Sequence, residues 1–393
     1  MKYQSLLFII FLCISCSHKG EVMPGPDLNR IIVDELPQNT FSFFDVIEEY
    51  QFIKLETVEN ALIGRIHKVI LVNERIYILD LMSAKGIYSF DIEGRFISKI
   101  GNYGRGPGEW IAPQDIAFHT DNQTLIVYCS NTRKLIFYSI DGDFIEEIHL
   151  GLTFKSMEYI NQDTIIAFSH GVYNHLQDYG ELPFDLIAFD TKIQIKHTQF
   201  LNHTEAGIGK TVMTMNNYFT KSDSGIFLNW FFNDTIYFIE NHCLYAKPFL
   251  YLDFGKKRFT KHELSNLSGL EIMERISEDR NRAIIRPVHV SDDLILIEFA
   301  AGIAKENPDD NYRILFNLKT GEKLKFKDLV YCNSFKWKTP IGVSNDFFVN
   351  TIYPYEITCI ENDIEGISLN YDDLEDGNLI ILLYRFKDIN DWN

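Results

Sequence analysis

The sequence predicts an all-β fold: a six-bladed β-propeller of four-stranded antiparallel blades with one short helical insertion. Three observations predict it. Short, alternating strand-like runs recur from about residue 43 to the end, and helical periodicity is rare. Six of these runs each fit the second strand of a blade. The first two repeats stand about 50 residues apart, a spacing typical of a four-stranded propeller blade.

The six second strands are Ile76 to Asp80, Leu125 to Tyr128, Thr164 to Phe168, Gly225 to Leu228, Leu294 to Ile297 and Phe347 to Asn350. Third strands follow at Gly86 to Asp91, Leu135 to Ser139, Phe184 to Phe189 and Thr235 to Ile239. Tight turns at Glu93-Gly94, Asp141-Gly142 and Thr320-Gly321 lead into fourth strands, because glycine reaches the positive-φ conformations a hairpin needs. The run Tyr50 to Glu56 has no partner nearby, and the chain ends on a strong strand, Leu379 to Phe386. Placing both in the last blade closes the ring and removes open sheet edges. Insertions are expected at His170 to Pro183 and at residues 300–311. A third, Phe259 to Arg282, carries Leu264, Leu267, Leu270, Ile272, Met273 and Ile276 among charges and reads as an amphipathic helix packed over a blade edge.

Ahead of the propeller, residues 1–15 read as a signal peptide, with Lys2 in the n-region and a short apolar stretch from Ser5 to Leu12. Ser15 directly before Cys16 resembles the lipobox of bacterial lipoproteins, which implies lipidation of Cys16. Residues 16–42 then read as the lipidated cysteine and a flexible tether, and residues 43–393 as the propeller. The expected location is the cell envelope, on the outer membrane and facing the periplasm, with contact to the membrane through the lipid alone.

The net charge of −18, from 37 basic and 55 acidic residues, argues against nucleic acid as a partner. Four of the six cysteines lie in the body, at Cys129, Cys243, Cys332 and Cys359, without a C-x-x-C pair, and are expected as reduced thiols. No metal or cofactor is implied. Asp372 to Gly377 has Leu374 where a calcium loop needs an oxygen ligand, so it reads as a solvated turn. Gly104-Arg105-Gly106-Pro107-Gly108 joins two strands and includes Pro107, which has no amide hydrogen; it reads as an inter-blade connection rather than a phosphate cradle. Two Asp-Thr-Ile segments, at Asp163 and Asp234, resemble O-glycan acceptor sites but read first as turns entering strands. H-E-x-x-H and G-x-S-x-G patterns do not occur.

The stretch from Tyr77-Ile78-Leu79-Asp80 through Gly104-Arg105-Gly106-Pro107-Gly108-Glu109-Trp110 to Pro113-Gln114-Asp115-Ile116 resembles the first blades of a family of six-bladed propeller lipoproteins of gut-type Gram-negative bacteria. That family is similar to NHL-repeat propellers. The resemblance implies the fold and the envelope location, and no activity.

The expected role is a recognition module for a glycan, a peptide or an envelope protein. In a propeller, the loops between blades and those joining second to third strands share one face. On that face the expected ligand-binding residues are Arg105, Trp110, Arg133, His170, Tyr173 and Trp230, since aromatic faces with polar rims suit such ligands. The alternatives are a propeller hydrolase or lyase with a site at the channel mouth, where Asp115 is the one carboxylate seen at the start of an inner strand, and a structural subunit of an envelope complex.

Overall fold

A computed structural model describes residues 29–33, 35–201, 217–278, 282–291, 293–301, 311–332, 335–357 and 377–392. Its sheets form six blades around a central channel. Strands are counted here from the channel outward. Blade one is Lys68–Val72, Arg75–Asp80, Gly86–Asp91 and Phe96–Lys99. Blade two is Pro113–His119, Thr124–Cys129, Lys134–Ser139 and Phe144–His149. Blade three is Ser156–Asn161, Thr164–Phe168, Phe184–Phe189 and Ile195–Leu201. Blade four is Phe219–Ser222, Gly225–Leu228, Thr235–Glu240 and Lys247–Asp253. Blade five is Ala283–Val290, Leu294–Ala301, Asn311–Asn317 and Lys323–Phe326.

Blade six closes the ring. Its first three strands are Gly342–Ser344, Phe347–Ile352 and Ile380–Phe386; its outermost is Ile47–Lys54 from the N-terminal side. The two ends pair antiparallel, with Tyr50 opposite Tyr384 and Phe52 opposite Leu382. Shared closure is therefore present as the sequence predicts. Pairing also begins upstream of residue 43. Asn29–Ile32 runs parallel to Lys247–Asp253 as a fifth strand of blade four, and Arg30 pairs with Asp253. Thr40–Ser42 runs parallel to the start of Asp328–Cys332.

Packing explains why these residues form these strands. The core consists of six apolar clusters, one at each junction of consecutive blades. A strand's side chains alternate, so each second strand feeds two junctions. Ile76 and Ile78 pack toward blade six, while Tyr77 and Leu79 pack toward blade two. Leu125 and Val127 face blade one, and Ile126 and Tyr128 face blade three. Burial on both faces demands a continuous apolar run rather than alternation.

The insertion expected as one helix is two, Lys261–Asn266 and Gly269–Glu278. Local capping causes the break. Thr260 and Glu263 form a reciprocal capping box, and Ser268 and Glu271 repeat the exchange eight residues later: the Ser268 amide donates to Glu271 and the Glu271 amide donates to the Ser268 hydroxyl. The second box starts a new helix. Leu264 and Ile272 are buried in the junction of blades three and four, and Leu270 is exposed. The insertion at His170 to Pro183 is a small hairpin, Asn174–Leu176 with Gly180–Leu182. Residues 302–310 and Asp372 to Asp376 lie outside the described residues.

Candidate functional site

Antiparallel blades have two unlike ends. Turns between first and second strands gather at one end of the channel. Connections between blades, and loops between second and third strands, gather at the other. The two described insertions, the hairpin after His170 and the helices after Thr260, lie at the loop end. A cavity of about 840 Å³ occupies the channel and reaches the tight-turn end, lined by first strands and turns of the blades.

Against the cavity, whose lining includes Lys68 and Glu158, lies a buried ionic cluster built from three blades. Lys68, near the start of blade one's first strand, places its Nζ 3.1 Å from Asp115 of blade two and 3.8 Å from Glu158 of blade three. Lys68 and Asp115 are almost fully enclosed, and Glu158 is slightly more open. The second Asp115 oxygen accepts the Ser156 hydroxyl at 3.0 Å and the Met157 amide at 2.7 Å. Burial pulls the Lys68 ammonium down, and the two carboxylates together outweigh it, so its pKa is raised. Burial pushes the Asp115 carboxyl up against the pull of that ammonium. Each residue sits on a separate strand beside the channel, which is why no local motif announces the set. The signal available in sequence was a charge at an otherwise apolar inner-strand position, visible for Asp115 and, in the same way, for Lys68 and Glu158.

Toward the mouth, the tight turns of blades two, three, four and six present Asp121, Asp163, Asp223 and Asp346, and Lys221 stands on the wall between them. Gln162 and Asn345 add side-chain amides. Of the apolar lining residues, Val69, Leu71 and Phe219 are buried in the blade junctions, whereas Ile70, Val72, Ile341 and Val343 are half-buried.

The residues expected to bind ligand are dispersed over the loop end. Arg105 and Arg133 are exposed, and Tyr173 is 50% exposed. Trp110 is 1% exposed in the junction of blades one and two, where its indole N–H donates to the Ile100 carbonyl. His170 is buried, and Trp230 is half-buried and stacked on Tyr237. The fold brings His170 and Trp230 together around Phe168, with ring centroids 6.2 Å and 5.1 Å from it. The glycine-rich connection wraps its own carboxylate: Glu109 accepts the Gly106 amide at 2.7 Å, and Tyr138 donates to the Gly108 carbonyl. It joins blades one and two, as its sequence predicts.

Other sequence candidates fall as follows. Cys129 is buried and free, its thiol pushed up to about 12 by burial, and Cys243 is free and half-buried. Thr164 of the first Asp-Thr-Ile segment is buried, and Thr235 of the second is half-buried. Among the described residues, no group of three His, Cys, Asp or Glu side chains is placed to hold a metal ion. No described helix is long and apolar enough to cross a membrane.

A family model described as a domain of unknown function, DUF4934, matches residues 29–385, nearly the whole propeller. The chain belongs to the DUF4934 family. Among solved structures, it is similar to a Bacteroides fragilis protein described as exported, at 17% identity and a TM-score of 0.67, covering 91% of this chain and 100% of that one. It also aligns with a Bacteroides vulgatus member of the DUF4221 family, at 14% identity and a TM-score of 0.49, covering 87% and 98%. Among curated proteins, none matches the chain. At these identities the likeness to the first structure is one of fold.

Proposed function

We propose that this DUF4934 protein is an exported binding module, tethered to the envelope through lipid on Cys16, that takes its ligand into the mouth of the propeller channel. The observation that carries the reading is the cavity of about 840 Å³, within the size range of small-ligand sites. The buried cluster of Lys68, Asp115 and Glu158 beside it is internally paired, which suits a fixed wall better than an acid–base pair. The signal-like leader and the Ser15-Cys16 junction support export and lipidation, and the description of the Bacteroides fragilis relative as exported accords with this.

Two experiments test the reading. Lys221→Trp puts an aromatic ring into the cavity at an exposed strand position, where aromatics are well tolerated. A thermal-shift screen of the mature chain against glycans, peptides and envelope extracts is expected to give a ligand that the folded Lys221→Trp protein no longer binds. A ligand that this variant still binds moves the site to the loop end, around Arg105, Arg133 and Tyr173. Separately, Cys16→Ser is expected to shift the protein from the membrane to the soluble fraction; full membrane retention refutes lipid anchoring.

A further inference from the structure

We propose that the hairpin of blade three, residues 171–183, is a pH-sensitive strap, seated firmly on the propeller in acid and loosened toward neutral pH, with the Asp185 carboxyl as its sensor. The inference stands apart from the channel cavity.

The strap has a hinge and moves as a unit. The chain leaves the second strand of blade three through His170 and Gly171, which take φ of 47° and 81° in succession. Beyond them the two legs pair with each other, from Asn174 opposite Leu182 to Leu176 opposite Gly180.

Its seat is small. Asn174 holds the connection after blade two at one residue: its side-chain oxygen accepts the Thr153 amide at 2.6 Å, and its side-chain amide donates to the Thr153 carbonyl at 3.0 Å. Leu176 and Leu182 pack on the junction of blades two and three. The Ile195 amide donates to the Tyr179 hydroxyl at 3.2 Å.

Asp185 sits where the two legs meet. Its backbone carbonyl accepts the Ser169 amide, and its carboxylate accepts the Gly171 amide at 2.6 Å. No cation joins it. The charged side chains and histidines on the elements around it are Lys155 on the first strand, His170 at the hinge, His175, Asp178 and Glu181 on the hairpin, and Arg133 in the adjoining loop of blade two; among the described residues none pairs with Asp185. On the fourth strand, Phe200 falls between the pairs Phe184–Leu201 and Leu186–Gln199 and carries no charge. An enclosed carboxylate without a cation is costly, and burial holds this one up at about 6.

Seating the strap encloses the carboxyl; lifting it returns the carboxyl to water and toward 3.8. The preference for the seated form is therefore complete below 3.8 and is lost as pH rises through about 6. Between about pH 5 and about pH 7.5 the ratio of lifted to seated strap rises by about tenfold.

The test is hydrogen exchange of the mature chain, read as protection factors of the Thr153 and Gly171 amides at those two pH values. Both amides are held by the seated strap, and both are expected to lose about tenfold protection at the higher pH. The amides of Leu125 to Tyr128, in the centre of blade two, should show no such loss. Asp185→Asn keeps an acceptor for Gly171 and removes the charge, so its Thr153 and Gly171 amides should be equally protected at both pH values. Equal protection in the unaltered chain overturns the inference. So does a loss that persists in folded Asp185→Asn, which would put the sensor at His170 or His175. A loss shared by Leu125 to Tyr128 reports opening of the whole propeller and overturns the strap.

Discussion

Asp185 and His289 bias stability in opposite directions as pH changes. Burial pushes the Asp185 carboxyl up from 3.8 to about 6, against one amide hydrogen bond from Gly171 at 2.6 Å. A raised carboxyl favours the folded state while protonated, so its contribution is complete below 3.8 and is lost as pH rises through about 6. Burial pulls His289 down from 6.5 to about 4, so its contribution is complete above 6.5 and is lost as pH falls through about 4. The windows overlap and the slopes oppose, so the pair leaves stability nearly flat between them. Asp185→Asn keeps an acceptor for Gly171 and removes the buried charge. It is expected to raise stability at pH 7.5 by about 2–3 kcal/mol, with no gain at low pH; equal melting curves at both pH values would refute the assignment. Lys68→Met acts at the ionic cluster instead. It leaves Asp115 and Glu158 as uncompensated buried carboxylates, and denaturant titration is expected to show a loss of about 3–5 kcal/mol.

At the scale of elements, legibility followed burial. All six second strands were readable because both faces are buried and the apolar run is continuous, as in Leu125 to Tyr128. Outermost strands are weaker signals: Phe144–His149 mixes exposed Phe144 and Ile145 with Glu146 and Glu147. The short strands Asn29–Ile32 and Thr40–Ser42 carry no period of their own, and parallel partners far along the chain create them. The candidate site was less legible still. Lys68, Asp115 and Glu158 meet only because three blades converge, and 90 residues separate the first from the last. Capping, by contrast, is wholly local. Ser268→Ala removes the box that starts the second helix and is expected to lower stability by about 1 kcal/mol, read as a lower denaturant midpoint. Gly94 couples element to ring. It has φ of 85° in the turn of blade one, its carbonyl accepts the Glu56 amide at 2.7 Å, and an added Cβ would strike the Lys54 backbone. Gly94→Ala therefore meets both a backbone penalty of about 1–2 kcal/mol and a collision with the closing segment.

On the scale of the whole molecule, stability depends on how the ring is shut. The first four strands of blades one to five follow one another in sequence, blade four adding Asn29–Ile32 at its edge, and the sixth blade takes its fourth strand from Ile47–Lys54. That strand is more than an edge. Ile53 and Leu55 are buried in the junction of blades six and one, and Ile47 is buried in the junction of blades five and six. Asn378 ties the same region down, donating from its side-chain amide to the Glu56 and Ala61 carbonyls at 2.7 Å each. Deleting residues 46–57 removes those side chains from the two junctions and leaves Ile380–Phe386 with an unpaired backbone edge. Burial of three large aliphatic side chains alone is worth about 5 kcal/mol, a large share of a typical folding free energy of about 5–15 kcal/mol. The deletion is thus expected to broaden and lower the melting transition and to promote association through the open edge. A synthetic peptide of residues 46–57 supplied in trans should occupy the vacant place and raise the melting temperature of the deleted protein. A scrambled peptide of the same composition should not, because register along Ile380–Phe386 places Ile53 inward and Tyr50 outward. Equal melting of the intact and deleted chains would mean that the ring does not depend on this strand for closure.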